Sequence, residues 1–458
     1  MKNLTQGNPL KVILLFAIPL YIGQLFQLSY GLIDTRIIGS VLGEKSLAAV
    51  GTTTSLSDLL VEFLNGIACG FGIIVSTFVG AQDETKMKKA IGGTVILSIG
   101  ITLFITAFSL LFLPQILQFL NVSEELKPEA FQYMQIIIAG LIATTLFNVC
   151  AAILRAIGDS YTPLLFLVIS NVLNIVLDYL MVASLGLGVS GAAIATVIAQ
   201  TVSAVCCYFY MRKKHPQLRI ALSDLKVNKA MRRQLIPSGL SMGFMISFVT
   251  LGSLALQTGI NHLGTNIIVA HTAARKVTMI FLIPFFVLGT ALATYCGQNL
   301  GAKEYGRIKR GISDTILVSF IWCGIVLAVV FGLASRLVSL VTASDEPEII
   351  QMAVLYLRVN SVFYFLPAVI CILRNSMQGF GDTKMPLVSS FIELTGKVLM
   401  AWFLVPVIGY MGVIISEPVV WAVMVIPLVV GICRDFRKLT KMKGEAEDKT
   451  LDNLLTPD

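Results

Sequence analysis

Charged side chains are scarce in this sequence, since Asp, Glu, Lys and Arg together make up 13% of its 458 residues. A soluble domain usually carries about 25%. A chain with so small a share cannot cover a water-facing surface of this size, which excludes an ordinary cytosolic enzyme and argues against a secreted protein. Histidine is also scarce. The three histidines, His215, His262 and His271, are separated along the chain and predict no metal site.

Signatures of catalysis and of cofactor binding are missing as well. The sequence has no HExxH, no GxSxG and no phosphate-cradling loop, so we expect no enzyme activity and no cofactor. One GxGxxG stretch occurs at 186–191, but it joins two apolar runs and no acid follows it in the next run. It therefore predicts a tight turn rather than a nucleotide site. The eight cysteines show no metal-like CxxC spacing.

Long apolar runs are abundant. A helix needs about 20 apolar residues to cross a bilayer, and twelve runs of this kind can be read along the sequence. The first is too long for a cleavable signal peptide and has no small-residue cleavage site after it, so we interpret it as the first span. The predicted spans lie at 10–33, 47–78, 90–113, 130–154, 161–183, 190–211, 234–259, 267–297, 311–332, 350–373, 386–407 and 411–433.

Loop charges predict the orientation of the chain in the membrane. Lys and Arg collect in every second loop, most densely at 212–233 and 434–443, whereas the alternate loops carry mainly acids such as Asp34, Glu124 and Glu348. Because Lys and Arg favour the cytoplasmic side, twelve spans would place both termini in the cytoplasm. The net charge of +8 therefore indicates a multi-pass protein of a bacterial-type inner (plasma) membrane, with no nucleic-acid partner.

The two halves of the sequence share landmarks in the same order. The segment 79–81 (Val-Gly-Ala), followed by basic residues, returns at 300–302 (Leu-Gly-Ala), and the Gly-Asp-x-x-x-Pro stretch at 158–163 returns at 381–386. Each half holds six predicted spans, so each returns the chain to its starting side. This pattern favours two six-helix lobes related by a pseudo-twofold axis along the membrane normal, which is typical of transporters.

These observations give the predicted organisation. The fold class is an all-α integral membrane protein with twelve transmembrane helices. The predicted domains are an N-lobe at 1–211, a basic cytoplasmic linker at 212–233, a C-lobe at 234–433 and a disordered cytoplasmic tail at 434–458.

Aspartate and glycine predict two details of local structure. In the Gly-Asp turns, Asp159 and Asp382 are expected to cap the next helix by accepting hydrogen bonds from its free amide groups. Close helix packing through small residues is predicted at two pairs, Gly66 with Gly70 and Gly239 with Gly243.

Polar side chains inside the apolar runs are the candidate functional residues, because a charge in the bilayer interior usually faces a cavity or a partner. Two acids, an amide and hydroxyl groups at one level can hold a proton or a small cation. The alternative makes Asp34 a loop residue paired with Arg36, and Asn174 a packing amide. The candidates in the first lobe are Tyr30, Asp34, Asn174, Asp178 and Thr196.

The second lobe carries a different set of polar residues, Glu393, Lys397 and Glu417. Glu393 and Lys397 are one turn apart on a predicted helix and can form an ion pair. This pair belongs either to a substrate cleft or to a structural arrangement that neutralises itself, and the sequence leaves both interpretations open.

The sequence resembles the multidrug and toxic compound extrusion (MATE) transporters. The matching stretches are 33–35 (Ile-Asp-Thr), 47–51 (Leu-Ala-Ala-Val-Gly), 297–302 (Gly-Gln-Asn-Leu-Gly-Ala) and the two Gly-Asp-x-x-x-Pro turns. The resemblance extends over nearly the whole chain. It implies two six-helix lobes around a central cleft and export by cation-coupled antiport.

The resemblance is nearer to the DinF-like prokaryotic branch, whose first lobe carries a proton-linked network. The residues that match that network are Pro19, Tyr30, Asp34, Asn174, Asp178 and Thr196. The resemblance implies that these side chains bind the coupling ion, H⁺ or Na⁺, and that Pro19 lets the first helix bend. The NorM-like branch has acids on helices seven and ten. Here the seventh run has no acid and the tenth has Pro367, so a sodium site of that type is not expected.

The predicted function is that of a secondary active exporter of small amphipathic, cationic compounds, working as a monomer by alternating access. One alternative is a flippase of lipid-linked oligosaccharide, or of another amphiphile, from the same wider superfamily. Arg275, Lys276 and Lys397 would suit its anionic head group. A membrane-embedded enzyme or a receptor-like binding protein would need a catalytic constellation or a soluble domain that the sequence lacks.

Overall fold

The computed structural model describes residues 4–342 and 346–455, and every regular element in these residues is helical. Two π-helical segments occur, at Tyr179–Ser184 and Met400–Leu404, and two short 3-10 turns lie at Pro216–Leu218 and Leu222–Leu225. The α-helices are α1 Pro9–Gly80, α2 Glu84–Leu111, α3 Leu113–Phe119, α4 Lys127–Ala139, α5 Leu141–Ala156, α6 Tyr161–Asp178, α7 Gly188–Lys214, α8 Lys229–Asn261, α9 Thr265–Gly301, α10 Tyr305–Thr342, α11 Pro347–Val362, α12 Phe365–Gly379, α13 Lys384–Leu399, α14 Val405–Ile408 and α15 Tyr410–Leu455.

The helices of the described residues coincide with the predicted apolar runs. Nine of them are long and apolar enough to cross a membrane, and the number rises to as many as 11 when two bent pairs are each taken as one span. The pairs are α4 with α5, bent by 42°, and α11 with α12, bent by 55°. The prediction of an all-helical membrane protein is therefore confirmed.

Helix α1 contains the first two predicted runs within 72 residues. Gly43 interrupts its helical geometry with φ 86° and ψ 177°, a conformation that glycine adopts without steric cost. The runs at 10–33 and 47–78 lie on either side of this interruption. Where the sequence predicts a loop, the structure has helix with a break at one residue.

Large apolar side chains cover the outside of the helices, which accounts for the small number of charged residues in the chain. Phe104 and Leu111 on α2, for example, are each 70% exposed. Inside a helix the backbone groups bond to one another, so lipid would meet only side chains. An apolar surface of this extent is unfavourable in water, and it is the surface that a membrane protein presents to lipid.

Two compact units make up the chain. The first contains Phe16–Gly243, and the second contains Leu4–Leu15 and the chain from Phe244 onward. The predicted lobes, at 1–211 and 234–433, differ from these units at the N-terminus and in α8.

The N-terminal segment belongs to the second unit because hydrogen bonds join it to residues far along the chain. The amide of Leu4 donates to Gln298 Oε1 at 3.1 Å, and Arg307 Nη1 donates to the carbonyl oxygen of Gly7 at 2.7 Å. These contacts join residues that lie far apart in the sequence, and no local pattern indicates them. The predicted boundaries of the first lobe therefore include this segment, whereas the structure places it in the second unit.

Small residues bring α1 and the start of α8 together in the first unit. Ser238 Oγ donates to the carbonyl oxygen of Gly70 at 2.8 Å, and a Cβ built on Gly70 would lie 2.4 Å from the carbonyl oxygen of Ser238. A Cβ on Gly66 would lie 2.8 Å from the Cα of Gly243. The predicted close packing through glycine is confirmed, and it assigns the first turns of α8 to the first unit.

The two units repeat their irregular features in the same order. Each has a bent helix pair, and in each the next helix, α6 or α13, runs directly into a π-helical segment. The Gly-Asp turns also behave alike. Asp159 and Asp382 each accept hydrogen bonds from two amide groups at the start of the following helix, at 3.0–3.2 Å and 2.9–3.4 Å respectively. The predicted caps are confirmed.

The C-terminal tail differs from its prediction. Helix α15 continues to Leu455, so 434–455 are helical where the sequence predicts disorder. Glu, Lys, Ala and Leu are common in this segment and favour helix, and near its start Asp435 pairs with Arg434 at 3.2 Å and with Lys438 at 3.3 Å. The last predicted tail residues, 456–458, lie outside the described residues.

Candidate functional site

Five polar side chains of the first unit come together as the sequence predicts. Tyr30 and Asp34 lie one turn apart on α1, and Asn174 and Asp178 lie one turn apart at the end of α6. Thr196 lies on α7, where its Oγ1 accepts a hydrogen bond from Asn174 Nδ2 at 3.5 Å. We call Tyr30, Asp34, Asn174, Asp178 and Thr196 the acidic cluster.

The hydroxyl and carboxyl groups of the acidic cluster share one site. Tyr30 lies within reach of the Thr196 hydroxyl and interacts with both carboxyl groups. The carboxyl group of Asp34 lies against that of Asp178, so their charges interact directly. Helical spacing links Tyr30 with Asp34 and Asn174 with Asp178, and the family resemblance implies the set that joins all three helices.

Burial distinguishes Asp178 within the acidic cluster. Its side chain is fully buried, and neither carboxylate oxygen has a hydrogen-bond partner among the described residues. A buried carboxylate without a partner is costly, and two adjacent carboxylates disfavour each other's charge. A bound proton, or a small cation between the two carboxyl groups, would remove both costs.

Asp34 is not a loop residue. It lies inside α1, as does Pro19, the residue at which a bend is predicted. Its interaction is with Asp178 rather than with Arg36, so the alternative that placed it in a loop is wrong. Asn174 is buried and donates a hydrogen bond to a neighbouring helix, as the packing alternative predicts, and it also lies in the acidic cluster.

Further polar groups near the acidic cluster escaped the sequence analysis. Tyr133 on α4 interacts with both of the cluster's acids and with Asp58 on α1. One turn after Asp58, Glu62 accepts a hydrogen bond from Asn65 at 3.3 Å. Asp58 and Glu62 lie inside the apolar run at 47–78. The criterion that selected Asp178, a polar side chain within an apolar run, would also have selected them. Tyr133 meets its partners only through helix packing, which spacing does not reveal.

The second unit holds a group of buried side chains in which cations and carboxylates alternate. Glu393 on α13 binds Arg374 through one carboxylate oxygen and Lys397 through the other, each at 3.0 Å. Lys397 also donates to Ser253 Oγ at 3.2 Å. Because these three charged side chains are between 3% and 7% exposed, they depend on one another rather than on water.

Glu417 on α15 continues the alternation. It accepts hydrogen bonds from Arg275 Nη1 at 2.8 Å and from the Tyr356 hydroxyl at 2.7 Å, and its charge interacts with Lys397. The ring of His271 packs edge-on against Tyr356, with 5.1 Å between the ring centres. We call Arg275, Arg374, Glu393, Lys397 and Glu417 the charge cluster.

The structure confirms the predicted pair of Glu393 and Lys397 but enlarges it. Arg374 shares the carboxylate, so the pair is not a self-neutralising unit. Arg374 was not predicted, because it follows the predicted run at 350–373 by one residue. In the described residues of both units, no group of three or more His, Cys, Asp or Glu is arranged to hold a metal ion.

A family model described as MatE matches the chain twice, at residues 19–180 and 241–403. The probable multidrug resistance protein YpnP of Bacillus subtilis is 28% identical over 392 residues, which cover 85% of this chain and 87% of that protein. The probable multidrug resistance protein YoeA of the same organism is 26% identical over 419 residues, covering 89% and 90%. The multidrug export protein MepA of Staphylococcus aureus is 23% identical over 409 residues, covering 89% of each.

Solved structures show the same fold. A crystal structure of a MATE protein in a bent conformation has a TM-score of 0.89 at 24% identity, over 97% of this chain and 99% of that one. A MOP superfamily transporter from Pyrococcus furiosus, described as having a binding pocket of reversed polarity that suggests a different function, has a TM-score of 0.87 at 25% identity, over 96% and 99%.

The relatives are described as resistance, export or transport proteins, which agrees with the expectation that this chain is not an enzyme. The two matched segments lie one in each half of the sequence and together cover more than half of it. The chain therefore belongs to the MatE family, the multidrug and toxic compound extrusion transporters that its sequence motifs resemble.

Proposed function

We propose that this protein exports small amphipathic organic cations by antiport against H⁺ or Na⁺, as a secondary active transporter that works as a monomer. YpnP and MepA are described as multidrug resistance and export proteins, which supports export as the general function. The acidic cluster supports coupling to a cation, because it offers carboxyl, amide and hydroxyl oxygens at one site, in which Asn174 and Asp178 are buried. No cofactor other than the coupling ion is needed.

The proposed architecture has twelve spans in two six-helix lobes, related by a pseudo-twofold axis along the membrane normal, with both termini in the cytoplasm. The break at Gly43 supports a division of α1 into two spans, which together with the bent pairs gives twelve. The repeated bends and π-helical segments support the relation between the lobes. The basic loops support an inner (plasma) membrane location with this orientation.

The burial of Asp178 carries the proposal. A carboxylate with a purely structural role is normally hydrogen-bonded or paired with a cation. Neither oxygen of Asp178 has a partner at hydrogen-bond distance or a paired cation in the described residues, and the side chains nearest to it are those of Asn174 and Asp34. A site that takes up and releases a cation needs carboxylate oxygens that are not already bonded to other groups. Both oxygens of Asp178 meet this requirement.

In the proposed cycle, the acidic cluster takes up the coupling ion from outside while the substrate leaves. Neutralisation of Asp34 and Asp178 removes the repulsion between them, so that α1 and α6 can pack more closely. Pro19 lacks the N–H that would complete the helical hydrogen bonds, which gives α1 a position at which to bend. Coupling follows if the ion and the substrate favour different conformations or compete for the same one.

Efflux from proteoliposomes tests this proposal. The vesicles contain a fluorescent organic cation, and a proton gradient or a sodium gradient is imposed separately. Asp34→Asn and Asp178→Asn keep the size of the side chain and remove its charge. Asp314→Asn is the matched control, because Asp314 is partly exposed on α10 and lies 3.8 Å from Arg310.

We expect one of the two gradients to drive efflux, both cluster variants to lose it, and the control to keep it. The gradient that works identifies the coupling ion. Full gradient-driven efflux in Asp34→Asn would refute the role of the acidic cluster and would direct attention to the charge cluster. If neither gradient changes the rate of efflux by the wild-type protein, antiport would be refuted.

A flippase of lipid-linked oligosaccharide, or of another amphiphile, is the second candidate function. The cations Arg275, Arg374 and Lys397, of which the last two are buried, favour it, because a diphosphate head group needs positive partners. The same vesicles separate the two functions when they carry a fluorescent lipid-linked diphosphate in the inner leaflet. Transfer of this lipid without efflux of the organic cation would select the flippase.

A further inference from the structure

The charge cluster contains one more cation than carboxylates. The cations Arg275, Arg374 and Lys397 are matched by only two acids, and 24% of the Arg275 side chain is exposed against 7% or less of the others. The polar groups in contact with the cluster, those of Tyr356, His271 and Ser253, add no negative charge at neutral pH. One positive charge in this cluster therefore lacks a counter-charge among the residues that the structure describes.

Arg374 is the residue at which this surplus is visible. Its Nη2 donates to Glu393, but its Nε is buried and has no hydrogen-bond partner in the described part of the chain. The residue as a whole is only 6% exposed. Leaving a charged donor buried without a partner costs its desolvation energy, so the fold retains an unfavourable feature that a ligand would correct.

Lys397 lies on the other side of the same carboxylate. An ammonium group has three donors, of which the hydrogen bonds to Glu393 and Ser253 use two. Arg374 and Lys397 therefore flank the two oxygens of one carboxylate, and each has a donor left over within the charge cluster.

We propose that Arg374 and Lys397 form a binding subsite for an oxyanion, carboxylate or phosphate, carried by an amphipathic ligand. Arg favours oxyanions because its planar guanidinium can donate two parallel hydrogen bonds. A monoanion would bring the charge cluster to neutrality. This subsite deepens the proposed function and rests on it for its biological meaning: the exported compounds would include zwitterions, whose anionic group the second unit recognises.

Binding in detergent, without any gradient, tests the subsite apart from transport. The probe is dansylaminoundecanoic acid, and its primary amide is the uncharged analogue of the same shape. Fluorescence titrations compare the wild type with Arg374→Gln and Lys397→Met. Arg336→Gln is the control, because Arg336 is an exposed cation of the same unit outside the cluster.

We expect the acid to bind the wild type more tightly than the amide, and each cluster variant to weaken binding of the acid by about tenfold or more. The amide should bind all proteins alike, and the control should match the wild type. Arg374→Lys keeps the charge and should restore part of the affinity. Equal affinities of acid and amide for the wild type, or unchanged binding of the acid in both variants, would overturn the proposal.

A second measurement needs no variant, so it remains informative if Arg374→Gln fails to fold. The acid should raise the thermal unfolding midpoint of the wild type more than the amide does, because a ligand stabilises the state that binds it. Equal shifts would overturn the subsite.

Competition identifies the source of the oxyanion. Displacement of the acid by phosphatidylglycerol in nanodiscs, but not by glycerol phosphate, would assign a lipid phosphate to the subsite, and displacement by both would assign a soluble anion. Either result supports the site. Failure of the proposed function would give a different result. Gradient-driven efflux would then persist in Asp34→Asn, whether or not the protein binds the acid.

Discussion

His215 Nε2 lies 3.8 Å from Asp159 Oδ2, which joins the residue after α7 to the residue that caps α6. The corresponding turn of the second unit pairs Asp382 with Arg434 instead. Arginine keeps its charge at every relevant pH, whereas histidine changes its charge near neutrality. The same turn therefore has a permanent partner in the second unit and a titratable one in the first.

The thermal stability of the first unit should fall as the pH falls below about 6.5. His215 is 8% exposed, and burial lowers its pKa although the charge of Asp159 opposes this. The unfolded chain therefore takes up the proton at a higher pH than the folded protein. Linkage then makes folding less favourable as the pH drops through this range. Unfolding midpoints in detergent between about pH 8 and pH 5 measure the effect.

His215→Gln should flatten this pH dependence, because it removes the titrating group. The control is His262→Gln, in which the replaced histidine is exposed, and it should retain the wild-type profile. An unchanged profile in His215→Gln would show that other groups cause the loss of stability at low pH.

Residues related by one helix were predictable from the sequence. Glu393 and Lys397 form a pair because positions one turn apart meet on any helix. Asp159 and Asp382 cap helices because a side chain at that position reaches the free amide groups beside it. Such geometry depends only on the local backbone, so it can be predicted without knowing how the helices pack.

Partners from different helices were not predictable in this way. Glu417 binds Arg275, which lies 142 positions earlier, and Glu393 binds Arg374 on another helix. Their distances depend on which faces of the helices pack together, and a strongly apolar sequence leaves these faces poorly distinguished. The interaction of Tyr133 with the acids of the acidic cluster was not predicted for the same reason.

Glu393→Gln should destabilise the second unit by about 3–5 kcal/mol. It leaves Arg374 and Lys397 buried without the carboxylate that they share. Lys397→Met should cost less, because Glu393 keeps its ion pair with Arg374 at 3.0 Å. Denaturant unfolding in mixed micelles gives the order of the two free energies, and a smaller loss for Glu393→Gln would contradict the shared-carboxylate arrangement.

The double variant Glu393→Gln, Lys397→Met provides a further control for this arrangement. It removes one charge of each sign, so its loss of stability should be smaller than the sum of the two single losses. Strict additivity would mean that Glu393 and Lys397 do not interact in the folded protein.

Gly70→Ala should destabilise the first unit by about 1–3 kcal/mol. The new Cβ would lie 2.4 Å from the backbone oxygen of Ser238, so α1 and α8 would have to separate. Gly100→Ala is the matched control, because a Cβ at that helical position would meet nothing within 4 Å beyond its own stretch of helix. Equal unfolding midpoints for the two variants would show that the contact between α1 and α8 adapts without cost.

Arg307 on α10 holds the N-terminal segment of the second unit with two donors directly and with a third through Asn299. Besides its bond to Gly7, it donates to the carbonyl oxygen of Leu4 at 3.4 Å and to Asn299 Oδ1 at 3.0 Å. Asn299 Nδ2 donates to the same oxygen of Leu4 at 3.3 Å. Gln298 and Asn299 belong to the Gln-Asn-Leu-Gly-Ala motif, so the motif and Arg307 act together on the residues that lead into α1.

Arg307→Ala should release this segment while the helices stay folded. We expect hydrogen exchange at the amides of residues 4–8 to rise by about tenfold or more, because the segment loses its charge-assisted bonds and opens locally. Arg310→Ala is the control, since the Arg310 side chain is 69% exposed and lies 3.8 Å from Asp314. It should leave exchange at these amides unchanged. Unaltered exchange in Arg307→Ala would mean that the bond from Leu4 to Gln298 suffices, and that the three donors of Arg307 contribute little to holding the segment.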